Sequence, residues 1–182
     1  AAATVSTNNS ALAFATAGTV HGARGLTLNA GTGAITGLDR IGSDLTSLSV
    51  TGNALALPAG GIAINGAQSY TATGGSSITL NGNVTSTAAG AIAFNGPVVL
   101  AGTSAVTAVD SAVSFTSSID GARDLTTANG TGVKNFVGPI GGTTALGDGT
   151  GAALTLAGTG AASFSDTVNA RSGMRGGGAG RF

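Results

Sequence analysis

Four heptapeptides in this chain read alike: Val20-His-Gly-Ala-Arg-Gly-Leu26, Ile64-Asn-Gly-Ala-Gln-Ser-Tyr70, Ile119-Asp-Gly-Ala-Arg-Asp-Leu125 and Val168-Asn-Ala-Arg-Ser-Gly-Met174. Their starts lie 44, 55 and 49 residues apart, so the unit is about fifty residues long. Phe14, Phe115 and Phe164 close runs of small residues shortly before three of the copies. Phe94 closes a similar run but is followed by Asn95-Gly-Pro-Val98. After the first and third copies, Gly31-Thr-Gly-Ala-Ile35 matches Gly130-Thr-Gly-Val-Lys134, and Arg40-Ile41-Gly42 matches Pro139-Ile140-Gly141. A repeat of this size is one supersecondary unit that buries its apolar side by stacking on its neighbours.

The unit is made of strands. Gly, Thr, Ser and Asn interrupt every segment, and no long stretch has apolar residues at helical spacing. Short alternating runs stand in their place: Leu26–Leu28, Leu48–Val50, Ile62–Ile64, Ile78–Leu80, Ile92–Phe94, Val113–Phe115 and Leu154–Leu156. Asn-Gly follows at 65–66, 81–82, 95–96 and 129–130, where the chain can turn sharply. These features predict an all-β fold, a parallel β-solenoid (β-helix) of about eight coils. Each coil takes about 20–25 residues, with Gly and Asn at the corners and coils about 4.8 Å apart. Val, Ile, Leu, Ala and Phe ladders fill the interior, and a narrow interior accounts for the abundance of Ala. The competing fold is an antiparallel sandwich, because Asn-Gly is also a hairpin signal. Residues 1–174 are read as one solenoid domain. Residues 175–182, rich in Gly and Arg, are read as a flexible tail or inter-subunit linker.

Composition narrows the function. Only 8% of the 182 residues are charged, against about 25% in an ordinary domain, while 42% are hydrophobic. Seven basic and seven acidic residues cancel, so no basic stripe is offered to nucleic acid. No apolar run reaches the roughly 18 residues of a membrane-spanning helix. Cysteine is absent, which removes disulfides, thiolate metal sites and a cysteine nucleophile. The chain starts without Met, as expected of a mature secreted product or an excised fragment.

The residues resemble a known pattern. Phe, then Val or Ile, then Gly-Ala-Arg and Leu-Thr, followed by Gly-Thr-Gly, Ile-Gly and Leu45-Thr-Ser-Leu-Ser-Val-Thr-Gly52, is similar to the repeats of large bacterial filamentous-haemagglutinin-like adhesins. Ile62-Ala-Ile-Asn-Gly-Ala-Gln-Ser-Tyr70 with Ile78-Thr-Leu-Asn-Gly-Asn83 is similar to their companion subrepeat. The resemblance covers most of residues 11–174 and weakens over 142–162. It implies a secreted or surface-anchored solenoid used in adhesion, aggregation or building a biofilm matrix.

No catalytic, cofactor-binding or metal site is assigned. Asp120 and Asp124 flank Arg123 and, with Asp110, would be the carboxylates of a carbohydrate-active enzyme; they are read instead as a solvated corner with an exposed ion pair. His21 is replaced by Asn65, Asp120 and Asn169 in the other copies, the drift expected of a surface corner. With one His there is neither a Ser-His-Asp set nor a His/Cys metal cluster. Gly147-Asp-Gly-Thr-Gly151 hints at a calcium turn but is not repeated. Arg24, Arg123 and Arg171, with Gln68 in the second copy, are read as corner caps or as a stripe for anionic glycans. Thr-x-Thr at 71–73 and 85–87 is not repeated coil by coil, which argues against ice binding. The reading is therefore a non-enzymatic extracellular structural or adhesive solenoid, with a carbohydrate-active enzyme or glycan-binding module as the alternative. Neither end shows a capping helix, so either the chain is cut from a longer one or its ends pair with neighbours; self-association end to end into a filament is expected, with surface glycans as further partners.

Overall fold

The computed structural model describes residues 1–14 and 19–177. Every strand pairing is parallel, and each strand lies beside the one a coil earlier and the one a coil later. Three sheets form the sides of the column. Sheet 1 has eight strands and runs its whole length, from Ala3–Ser6 to Ala162–Phe164. Sheet 2 has six strands, from Leu12–Ala13 to Ile119–Asp120, and continues as single bridges from Ile119 to Ile140 and Val168. Sheet 3 has six strands, from Ile62–Ile64 to Met174–Gly176; earlier in the chain a bridge joins Val20 to Ile41. The fold is thus a parallel β-solenoid of about eight turns. One 3-10 turn, Leu38–Arg40, is the sole helical element among the described residues.

Alternation decides which side chains enter the column. In Ser47–Gly52 the residues Leu48, Val50 and Gly52 are buried while Ser47, Ser49 and Thr51 are not. The same period of two recurs in Ile62–Ile64, Val98–Leu100 and Ser104–Ala108. Stacking then aligns inward residues into columns. Ala3, Leu26, Leu48, Gln68, Ile92, Val113, Lys134 and Ala162 form one, so successive coils take 20 to 24 residues and the last takes 28.

The neighbouring column is Val5, Leu28, Val50, Tyr70, Phe94, Phe115, Phe136 and Phe164. Its five rings stack with centroids 4.8 to 5.5 Å apart and planes within 17° of parallel. The coil spacing sets this separation, which falls in the favourable range for aromatic pairs. Phe14 stands outside this stack, following the sheet 2 strand Leu12–Ala13.

Two expectations need correction, the role of Ala and the start of the tail. Ala is not the main interior filler: Ala30, Ala108 and Ala153 are buried, whereas the core is otherwise Leu, Ile, Val and aromatic. Ala63, Ala93 and Ala105 instead take outward positions. The Asn-Gly pairs turn solenoid corners as expected, and with every pairing parallel the competing sandwich falls away. The boundary of the tail also moves. Arg175 and Gly176 belong to the strand Met174–Gly176, and the Gly177 N–H donates to the Leu156 carbonyl (2.6 Å). The rest of the proposed tail, 178–182, lies outside the described residues.

The fifty-residue sequence unit is not a whole number of coils. The first two heptapeptides lead into sheet 1 strands, Gly25–Asn29 and Ala67–Ala72. The last two lead into sheet 3 strands, Leu125–Ala128 and Met174–Gly176. The spacing of 55 residues between the second and third copies spans two coils plus two further sides. From there on, equivalent sequence positions sit on different faces.

Candidate functional surfaces

This phase shift breaks up the arginine stripe. Arg24 sits at the corner entering sheet 1, while Arg123 and Arg171 sit at the corner entering sheet 3. Gln68 is not on the surface: it is 2% exposed within the column. Its Nε2 donates to the Thr85 carbonyl (2.8 Å) and its Oε1 accepts from the Tyr70 hydroxyl (2.6 Å). Burial pushes the Tyr70 phenol far above its ordinary pKa, so it stays a donor. The guanidinium of Arg123 donates to the Ala101 carbonyl one coil earlier (3.3 Å), and that of Arg24 to the adjacent Ala23 carbonyl (3.4 Å).

The carboxylates are occupied by corner backbone. Asp110 adopts a left-handed φ of 47° and accepts from the N–H and hydroxyl of Thr131 (2.9 and 3.1 Å). Asn9, at φ 58°, makes the same link to the Thr32 N–H (3.1 Å). A neutral amide does the work of Asp110, so the position demands an acceptor in a left-handed turn and not a negative charge. Asp120 accepts from the N–H groups of Thr143 and Thr144 (2.7 and 3.1 Å). Asp124 has one carboxylate oxygen buried without a hydrogen-bond partner. Asp110 and Asp120 each bind backbone one coil on, at separate corners.

His21 is exposed, with Nδ1 3.4 Å from the Asp44 carboxylate. Asp44 also accepts from the Gly22 N–H (2.9 Å). Desolvation raises its pKa, but the Gly22 N–H, its own N–H and His21 together outweigh that and leave it below the usual value. Asp148 is held low by the Thr150 hydroxyl and N–H (2.7 and 2.8 Å), with Arg123 adding a smaller effect. These bonds close the Gly147–Gly151 turn on itself. Among the described residues, no group of three His, Cys, Asp or Glu side chains is placed to hold a metal ion.

One cation lies inside the column. Lys134 occupies the position matched by Ile35 in the first copy and is 1% exposed. Its Nζ makes a long hydrogen bond to the Gly160 carbonyl (3.4 Å), and desolvation lowers its pKa. In the same coil, Asn129 donates from Nδ2 to three carbonyls, Ser111, Gly132 and Val133, at 2.8 to 3.0 Å.

Val99, Val109, Val133 and Val137 are exposed along the sides of the column, while the partly covered residues that pack on its core gather toward the ends. Among the described residues, the hydrophobics packed on the core but partly covered are Leu12, Phe14 and Val20 in the first coil, Phe164, Val168, Ala170 and Met174 in the last, and Ile41 and Ala72 between. At the N-terminal end Ala3–Ser6 is exposed along its whole length, with Val5 39% exposed. In a β-solenoid this is the expected place for a further coil, since each coil otherwise covers the apolar edge of the one before.

The sheets and their ends define a three-sided parallel β-solenoid. No family model, curated protein or solved structure matches the chain. No helix among the described residues is long and apolar enough to cross a membrane.

Proposed function

We propose that this chain is a non-enzymatic structural or adhesive solenoid of the extracellular space or cell surface that associates end to end, as a subunit of a filament or matrix fibre. The observation that carries this reading is the collection of partly covered apolar residues at the first and last coils, beside the exposed edge strand Ala3–Ser6. Two different ends meeting make a heterologous contact, and such a contact propagates unless it closes into a ring. The similarity of the heptapeptides to adhesin repeats supports the same reading. So does the use of Asp110, Asp120 and Asp148 to hold corner backbone, which leaves them no evident task in general acid–base chemistry. Sedimentation velocity over a concentration series tests it. The sedimentation coefficient should rise with concentration, and a chain that stays monomeric throughout would refute end-to-end association.

A further inference from the structure

We infer that Asn81 is a site of spontaneous covalent modification: its side-chain amide converts through a cyclic imide to aspartate and isoaspartate, while the fold protects the Asn-Gly pairs at Asn65, Asn95 and Asn129.

Asn followed by Gly is the pair most open to this chemistry, because glycine has no side chain to shield its nitrogen. The Gly82 nitrogen attacks Cγ of Asn81. A new C–N bond forms, the bond from Cγ to the side-chain nitrogen breaks, and ammonia leaves with the proton of the Gly82 N–H. Water then opens the imide. Attack at the side-chain carbonyl gives aspartate. Attack at the main-chain carbonyl gives isoaspartate, with the chain routed through Cγ. Water is the sole co-reactant, and nothing is oxidised or reduced.

The attack requires Cγ to swing onto the next nitrogen, so any bond that pins the amide slows it. At Asn65, Oδ1 accepts from the Thr87 hydroxyl (2.9 Å) and the backbone N–H donates to the Leu45 carbonyl (2.9 Å). Asn95 closes the strand Ile92–Asn95, and its Nδ2 donates to the Ser69 and Thr71 hydroxyls (3.1 and 3.3 Å). Asn129 is buried with its Nδ2 on the carbonyls of Ser111, Gly132 and Val133. Asn81 differs. It is exposed at the corner between the strands Ile78–Leu80 and Val84–Ser86. Among the described residues no hydrogen-bond partner holds its amide or the Gly82 N–H.

The isoaspartate product is a poor fit. It lengthens the main chain by one carbon at a corner without slack. A Cβ on Gly82 would already meet the Ala59 and Pro58 carbonyl oxygens of the coil before, at 2.5 and 2.6 Å. The flanking strands belong to sheets 2 and 3, so the added length strains one ladder or the other out of register.

The test is to age the purified chain in mildly alkaline buffer, digest it and locate the mass shift from amide to acid by tandem mass spectrometry. In the native chain Asn81 should convert about five-fold faster than Asn65, Asn95 or Asn129, the factor that one net hydrogen bond is worth. In guanidinium all of these sites should convert at comparable rates, because the fold alone separates them. Thr87→Val, a surface change that removes the hydroxyl holding Asn65, should speed Asn65 toward the rate of Asn81 and leave Asn81 unchanged. Equal rates at all the sites in the native chain, or no conversion at Asn81, would overturn the assignment. A Thr87→Val chain in which Asn65 stays slow would overturn the hydrogen-bond explanation of it. Hydrogen exchange across 78–86 should be faster in the isoaspartate fraction than in fresh chain, and equal exchange would contradict the strained corner.

Discussion

Replacing Phe115 with Ala removes a ring from the middle of the aromatic column. Phe115 is 1% exposed and stacked on both faces, against Phe94 at 4.8 Å and Phe136 at 5.4 Å. The coils above and below are held by their own backbone ladders, so the cavity cannot close by collapse. A buried Phe→Ala change costs about 3–5 kcal/mol, and the loss of two stacked contacts puts this one toward the upper end, at about 4–5 kcal/mol. In a stacked-repeat protein the damage spreads through nearest-neighbour interfaces, so Phe115→Ala should also loosen the coils on either side. Denaturant unfolding followed by far-UV circular dichroism measures the difference in stability. A cost below about 1 kcal/mol for Phe115→Ala would refute the argument that the column is packed and continuous.

Two further substitutions test the close stacking of corners and the buried amine. A Cβ on Gly66 would collide with the Thr46 carbonyl of the coil before, and backbone cannot swing aside, so Gly66→Ala should lower stability by roughly 1–3 kcal/mol; Gly60→Ala, with open space around it and no strained φ, should be neutral within about 1 kcal/mol in the same denaturation assay. Burial depresses the Lys134 pKa, so the unfolded chain binds more protons in the window between the folded and unfolded values, and stability should rise with pH through that window, be complete above about 10.4 and be lost as pH falls through the folded value. No charged residue lies on the two strands packed against it, Val113–Phe115 and Ala162–Phe164, to offset this. Lys134→Met should flatten that slope and stabilise the fold at neutral pH by on the order of 1–3 kcal/mol; an unchanged slope in unfolding curves taken from pH 7 to 11 would count against it.

Much of the fold was legible because it is written in alternation and turns. Ile62–Ile64 and Ile78–Leu80 are strands for the reasons the sequence offers: large aliphatic residues at every second position, then Asn-Gly. Lys134–Phe136 was hidden because its first inward residue is a lysine, and Ala67–Ala72 because a glutamine stands where an aliphatic residue is expected. Both polar groups enter the column through contacts that no local pattern reports: Gln68 through Thr85 and Tyr70, Lys134 through Gly160. The aromatic column leaves a trace in the sequence, since Tyr70, Phe94, Phe115, Phe136 and Phe164 follow one another at 21 to 28 residues. Its regularity is that of the coil, whereas the motif repeats follow the longer unit. That same difference undid the arginine stripe, because matching sequence positions 99 residues apart fall on different sides of the column.

Fibre diffraction from aligned assemblies of the purified chain tests the proposed end-to-end column most directly. Coils stacked along the fibre axis, continued across each joint without a gap, predict a meridional reflection near 4.8 Å and an axial subunit repeat of about 38 Å, eight coil heights. A 4.8 Å reflection on the equator, or an axial repeat unrelated to eight coils, would contradict it.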